Sequence, residues 1–505
     1  MTTKTAFLAI SITALSLAGA SNAFAETLNV GGTELPATLG NPYAAIGVTP
    51  GSILGAIYDG LTQIDSDGQL KPAIATSWEN DGNLIWTFKL RDGVKFQNNR
   101  PVTAENVTAL LNELIRSENA GYPIATEMAG IAYAAAKSSN SVEIVTRQPD
   151  PLLAKRMSLM RIVDFDLWRK IGADAYGQEP IGTGPYKLKS WNQGGAIVFS
   201  GFADSWRPPK GFTDLRIYTL KDSIARTQAL LADQIDLALG LTPEDAPLIQ
   251  SEGKNSKVHY GNQVMAIGLP NALKPESPLN SEKVRQAMNY AVNRRAIVDL
   301  ILGGMFPLAS QGATPSNVGY NPDIEPYEYD PEESKALLAE AGYEGGFEII
   351  IEVLVGMGPS DSLIYQQAAQ DLSNVGIRVD LRTTTYPERT RKYFSGDWGN
   401  VDGFSILWNN APYNDTGRAL RDFSCLKSNP FFCDPPTADL IIKANTEMSP
   451  ERREALLQDA MASMHKLAPT INLIEYGSVI GYSERISNVS VRPVGVTYED
   501  IVPVK

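Results

Sequence analysis

Apolar and polar residues alternate strictly over Trp86-Thr87-Phe88-Lys89-Leu90, the pattern of a half-buried strand. Asp92-Gly93 reads as a turn, and Val94 to Phe96 as the strand returning from it. Leu28 and Val30 alternate in the same way at the head of Glu26 to Leu39, and an apolar stretch follows from Ile53 to Leu61. The period then changes. Thr103 is a good N-cap, with Val107, Leu110, Leu111 and Leu114 after it at helical spacing. Ser281 to Leu302 places Val284, Ala287, Met288, Ala291, Val292, Ile297 and Leu300 on one face and ends at Gly303-Gly304, which predicts one long helix. Pro331 to Ala341 predicts another, stopped by Gly342. Phe347 to Leu354 reads as a buried strand, Ser362 to Val375 as a helix and Ile377 to Leu381 as a strand, which together make a βαβ unit. The chain is therefore expected to be α/β and multi-domain.

The first residues set the expected compartment. Lys4 supplies a positive start, Ala6 to Ala20 is apolar and uncharged, and Ala23-Phe24-Ala25 has the small-x-small form of a cleavage site. Residues 1–25 are thus read as a signal peptide, cut before Glu26, and the mature protein is expected in the periplasm. The formal charge of −13 becomes more negative when Lys4 is removed with the leader. That balance argues against a nucleic-acid partner, which needs a basic footprint. The two cysteines, Cys425 and Cys433, flank a short loop and are expected to form one disulfide in an oxidising compartment.

Chemistry is sparse. The sequence has no P-loop, no G-x-S-x-G elbow and no H-E-x-x-H. Its two histidines, His259 and His465, are far apart, so no catalytic group, cofactor or directly ligated metal is expected.

A series of blocks carries a resemblance. They are Pro72 to Trp78, Trp86 to Phe96, Val102 to Val107, Gly182-Thr183-Gly184-Pro185-Tyr186, Arg226 to Leu231 with Ile235-Asp236, and Val284 to Ala291. Tyr329-Asp330-Pro331 with Leu337 to Gly342 completes them. In this order they resemble the family 5 extracellular solute-binding proteins, the dipeptide, oligopeptide and nickel receptors of ABC importers. The resemblance implies a three-domain, two-lobed periplasmic binding protein of the cluster C type that closes by a hinge. It implies domain I from 26–58, 182–268 and 477–505, domain II from 59–181, and domain III from 269–476. The expected working unit is a monomer that captures a short peptide or peptide-like polar molecule and docks on permease subunits in the inner membrane. An oligosaccharide or a chelated metal such as nickel is the alternative cargo.

The same resemblance points to ligand-binding residues. Trp408-Asn409-Asn410-Ala411-Pro412-Tyr413-Asn414-Asp415-Thr416 is similar to the pocket loop of dipeptide receptors, where an acidic residue pairs with the peptide ammonium. Here Thr416 stands at the acidic position and Asp415 one residue earlier. Either Asp415 takes the role or the ligand lacks a free amine there. Trp408 would stack on the ligand or pack in the core, and Asn409 and Asn410 would hydrogen-bond the ligand or shape a turn. The carboxylate-binding arginine of those receptors would lie near Val355 to Ser360, where this chain has Met357. Arg389, Arg391 or Arg418 could supply the missing cation. Tyr43 matches the loop that lines the cleft from domain I.

Overall fold

The computed structural model describes residues 26–504 except 33–39, 45–47, 120, 192–194, 357, 359 and 494. The expected signal segment therefore lies outside the described residues, as does Met357. The chain builds a ten-stranded mixed sheet, a separate four-stranded antiparallel sheet, three two-stranded ribbons, and helices around them. Among the described residues no helix is long and apolar enough to cross a membrane.

Two large hydrophobic cores divide the molecule. The first gathers residues from Leu28 to Leu237 and from Ile480 to Ile501, and it includes the buried face of the four-stranded sheet. The second runs from Val264 to Ile474. We call the bodies around them the first and second lobes. One sheet passes through both. Asn255–Gly268 and Thr470–Tyr482 pair antiparallel along their whole length, from Asn255 opposite Tyr482 to Gly268 opposite Thr470. Their first-lobe ends continue the sheet through Leu237–Leu241 to the N-terminal strand Thr27–Gly32, and their second-lobe ends through Gly403–Trp408. The ladder is interrupted between Tyr260 and Gln263, where Asn262 takes a positive φ of 51°.

The local predictions meet different fates. Ile85–Leu90 is a strand with alternating burial, and Thr103 caps Ala104–Leu114 by accepting from the Asn106 amide. The βαβ unit is present: Phe347–Val353 and Ile377–Thr383 pair in parallel around the helix Asp361–Asn374. The hairpin return over Val94 to Phe96 is not; only an isolated bridge between Lys95 and Pro101 forms. Both edges of Ile85–Leu90 are already taken, by Ala75–Asp81 and Ser141–Thr146. Val94 and Phe96 go into the core instead.

The helix expected over Ser281 to Leu302 is also broken. Glu282–Ala291 is α-helical, but Val292 is extended with a ψ of 121°. Asn293 then recaps a short turn, accepting from the Ala296 amide while its own N–H donates to Asp371. The buried Arg294 guanidinium takes the carbonyls of Asn289, Val292 and Asn472, which holds the break in place. Leu300, expected on the buried face, is 83% exposed.

Candidate functional site

Three parallel strands of the second lobe, Phe347–Val353, Ile377–Thr383 and Gly403–Trp408, end on one side of the sheet. Segments beyond the carboxyl ends of such strands are where open α/β sheets take ligands. The loop that leaves the third strand, residues 409–418, meets the first lobe there.

Its base is rigid. Trp408 is buried and stacks on Phe423 with ring centroids 4.3 Å apart, and its indole N–H donates to Asn472. A Cβ on Gly312 would fall 2.3 Å from the same ring, so only glycine fits against it. Asn410 is fully buried and donates to the Gly312 carbonyl and to Asn317, leaving its Oδ1 without a donor. Thr416 is buried with Oγ1 unpartnered, and its amide donates to the Val318 carbonyl. Asn409 is half-buried; Gln263 donates to its Oδ1 at 2.6 Å. Trp408 and Asn410 thus support the loop from beneath, while Asn409 lies at its partly open face.

Asp415 is a structural anion. It caps the helix Thr416–Leu420 by accepting from the Gly417 amide, and the Arg453 guanidinium grips both its oxygens at 2.7 and 2.8 Å. Lys155 of the first lobe adds a longer contact at 3.5 Å. Burial pushes the Asp415 carboxyl up, but Arg453 and Lys155 more than reverse this, and it titrates below its ordinary range. Lys155 moves down as well, because burial outweighs its attraction to Asp415. Arg453 is therefore the partner that holds the carboxylate, and Lys155 lies at the margin.

Beside it Tyr413 crosses from the second lobe into the core of the first. Its hydroxyl donates to Glu127 at 2.6 Å, and the guanidinium groups of Arg156 and Arg418 lie over its ring. Glu127 also receives Arg418 at 2.9 Å and Arg156 at 3.2 Å, and Arg156 in turn reaches Asp150. Desolvation pushes Glu127 up, yet Arg418, Arg421, Tyr413 and Arg156 bring it below the usual carboxylate range. The two lobes are thus joined by a buried polar seam of paired charges. Sequence spacing gave no sign of Glu127, Lys155 or Arg156. Tyr413 lies inside the loop that the resemblance marks, with no pattern in the sequence that ties it to Glu127.

The other expected residues scatter. Tyr43 is buried in the first lobe, its hydroxyl donating to the Arg161 carbonyl and its ring edge-on to Trp168. Of the three arginines considered as the cation, Arg418 is held by Glu127 and Arg391 pairs with Glu388 on the surface. Arg389 sits in the first turn of the helix Tyr386–Ser395, out of solvent for the most part. Cys425 and Cys433 form the expected disulfide, two residues beyond the Phe423 that stacks on Trp408.

Comparison with known proteins agrees with this geometry. The glutathione-binding protein GsiB of Escherichia coli (strain K12) is 25% identical over 91% of both chains. The solved structure of the periplasmic binding protein DppA of Helicobacter pylori, in complex with the peptide STSA, matches 95% of this chain and 98% of its own at 23% identity, with a TM-score of 0.79. NikZ of Campylobacter jejuni, solved with Ni(L-His), matches 95% of this chain and 99% of its own at 20% identity, with a TM-score of 0.81. The fold is that of the two-lobed peptide-binding proteins of cluster C. Residues 69–429 match the middle region of bacterial extracellular solute-binding proteins, family 5, and the chain belongs to that family of binding proteins.

Proposed function

We propose that this protein is the periplasmic substrate-binding component of an ABC importer, which captures a short peptide or peptide-like polar molecule and hands it to permease subunits in the inner membrane. The observation that carries the reading is the seam around residues 409–418. Side chains of both lobes converge there, at the carboxyl ends of parallel strands. A junction lined by charged and hydrogen-bonding side chains suits a small polar cargo better than an apolar one. The similarity to glutathione-binding relatives supports the peptide class.

Asp415 is consumed by Arg453, which favours a ligand whose amine, if it has one, is not neutralised at that point. Asn409 is the loop residue we carry forward as a ligand contact, and Met357 and Tyr43 remain proposals as cleft-lining residues. The separation of domain III (269–476) from the rest is supported by the partition of the two cores, and the division of the rest into domain I (26–58, 182–268 and 477–505) and domain II (59–181) stays part of the proposal. Export is supported by the leader over residues 1–25 and by the Cys425–Cys433 disulfide.

Thermal-shift screening of the purified mature protein, with mass spectrometry of the ligand it releases, tests the reading. Di- and tripeptides should raise the melting temperature by mass action. A rise with oligosaccharides and none with any peptide would sink it.

A further inference from the structure

Asp323-Ile324-Glu325-Pro326-Tyr327-Glu328 runs along the second lobe with almost no regular secondary structure. Two of its side chains tie it down. Ile324 is buried in the second core, and the Tyr327 hydroxyl donates at 2.8 Å to the carbonyl of His465, in the helix Pro450–Leu467. Asp323, Glu325 and Glu328 between and beyond them stay exposed.

A cavity of about 370 Å³ opens between this segment and the helices Glu282–Ala291 and Pro450–Leu467. Its aromatic wall is a series of three rings. Tyr290 meets Tyr327 edge to face with centroids 5.1 Å apart, and Tyr327 stacks on His465 at 4.5 Å. The Nδ1 of His465 lies 3.0 Å from the Ser310 carbonyl. A carbonyl only accepts, so Nδ1 carries the proton and Nε2 is left as an acceptor. Burial pushes the imidazole below its ordinary range, which keeps the ring neutral at pH 7. No residue of the first lobe or of the 409–418 loop lines the cavity.

Its charge is one-sided. Asp323, Glu325 and Glu328 line it, and no cation pairs with any of them among the described residues. Glu282 adds a further negative influence at Tyr327. Arg285 and Arg294 act on Tyr327 from neighbouring elements, but their guanidinium groups are taken by backbone carbonyls. Lys466 follows His465 but does not line the cavity. A concave site lined by one sign of charge focuses the field on its contents. Aromatic rings add attraction for ammonium and guanidinium groups, and the free Nε2 accepts one of their N–H donors.

We propose that this cavity is a second binding site, which takes a guanidinium or alkylammonium group among the three carboxylates and against the Tyr290–Tyr327–His465 wall. The site lies apart from the seam, so it goes beyond the cargo reading and does not depend on it.

The chain's two histidines, His259 and His465, make the test specific. With the histidine rings isotopically labelled, titration of the mature protein by ethylguanidinium or butylammonium should move the His465 resonance saturably. The His259 resonance, from the strand Asn255–Gly268, should stay in place. Neutral ethylurea should move neither. Combined Asp323→Asn, Glu325→Gln and Glu328→Gln replacement, all at exposed positions, should weaken binding about tenfold. Glu79→Gln, which removes an exposed acid from the four-stranded sheet, should leave it unchanged. The capped peptide acetyl-Gly-Arg-Gly amide separates the two sources of such a group. Binding of the free cations assigns the site to a small organic cation, and binding of the peptide alone assigns it to an arginine side chain of a docking protein; either supports the proposal. No movement of His465 with any cation, equal movement with ethylurea, or full binding by the triple variant overturns it. None of these results bears on peptide capture at the seam.

Discussion

Tyr413 donates its hydroxyl proton to Glu127 at 2.6 Å, although the two residues lie 286 positions apart and belong to different lobes. A hydrogen bond to a buried charged group contributes about 1.5–3 kcal/mol. Tyr413→Phe should therefore shift the balance of the free protein towards an open form while the lobes stay folded. Small-angle scattering should show a larger radius of gyration without ligand. An unchanged radius would mean that the bond does not help to hold the lobes together.

Glu127 is the common acceptor for Arg418 and Arg156, so its removal is a harsher test. Glu127→Gln leaves the buried Arg418 guanidinium without its ion-pair partner and Arg156 with Asp150 alone, at a cost of about 3–5 kcal/mol. The expected readout is a lower denaturation midpoint together with a ligand affinity weaker than that of Tyr413→Phe.

Asp415 should behave as part of the framework. Asp415→Asn should lower stability by about 3–5 kcal/mol, as expected when one partner of a buried pair is lost. A joint Asp415→Leu and Arg453→Met replacement should recover a good part of it. The sign of the pH effect follows from the depressed carboxyl. Its contribution is present above the unfolded value of about 3.9 and is lost as pH falls through the lower folded value. Acid unfolding should accordingly begin at higher pH in Asp415→Asn than would follow from the loss of a surface acid.

Glu475 carries the opposite sign. Desolvation alone pushes its carboxyl up to about 7, and its side chain has no cation or donor among the described residues. A folded value above the unfolded one of about 4.3 contributes stability at low pH that is lost as pH rises through 7. Glu475→Gln should raise the melting temperature at pH 8 and leave it unchanged at pH 4. Equal effects at both values would refute the assignment.

Gly312 supports the floor of the loop. Gly312→Ala would drive a methyl group into the Trp408 ring and force the indole off Phe423. Overpacking of this kind costs about 1–3 kcal/mol. Tryptophan fluorescence and a denaturation curve would register both the displacement and the loss.

The legible parts of the structure are those decided within a few residues. The alternation of Ile85–Leu90, the Thr103 cap and the βαβ unit from Phe347 to Thr383 depend on neighbours in sequence. The illegible parts are decided from far away. Val94 to Phe96 could not become a strand because segments on either side in space had taken both edges of its intended partner. The helix after Ser281 breaks because Asp371 and Asn472 claim the Asn293 amide and the Arg294 guanidinium. The site divides in the same way. The Trp408 loop could be marked from its residues, but the fate of Asp415 depends on Arg453, and that of Tyr413 on Glu127. No spacing rule links those pairs. The family resemblance implies the receptor class, and the geometry shows that both charges of the loop, Asp415 and Arg418, are engaged.

The lobes are joined by Asn255–Gly268 and Thr470–Tyr482, two strands bonded to each other along their length. Such a ribbon resists bending within its plane but yields to torsion. Any change in the angle between the lobes is therefore a wringing motion shared by both strands, and neither can move without its partner. The interruption between Tyr260 and Gln263 removes rungs from the ladder along that ribbon. The lobes can then reorient like the two ends of a twisted strip, with a built-in slack of a few residues and a restoring pull from the intact rungs on either side.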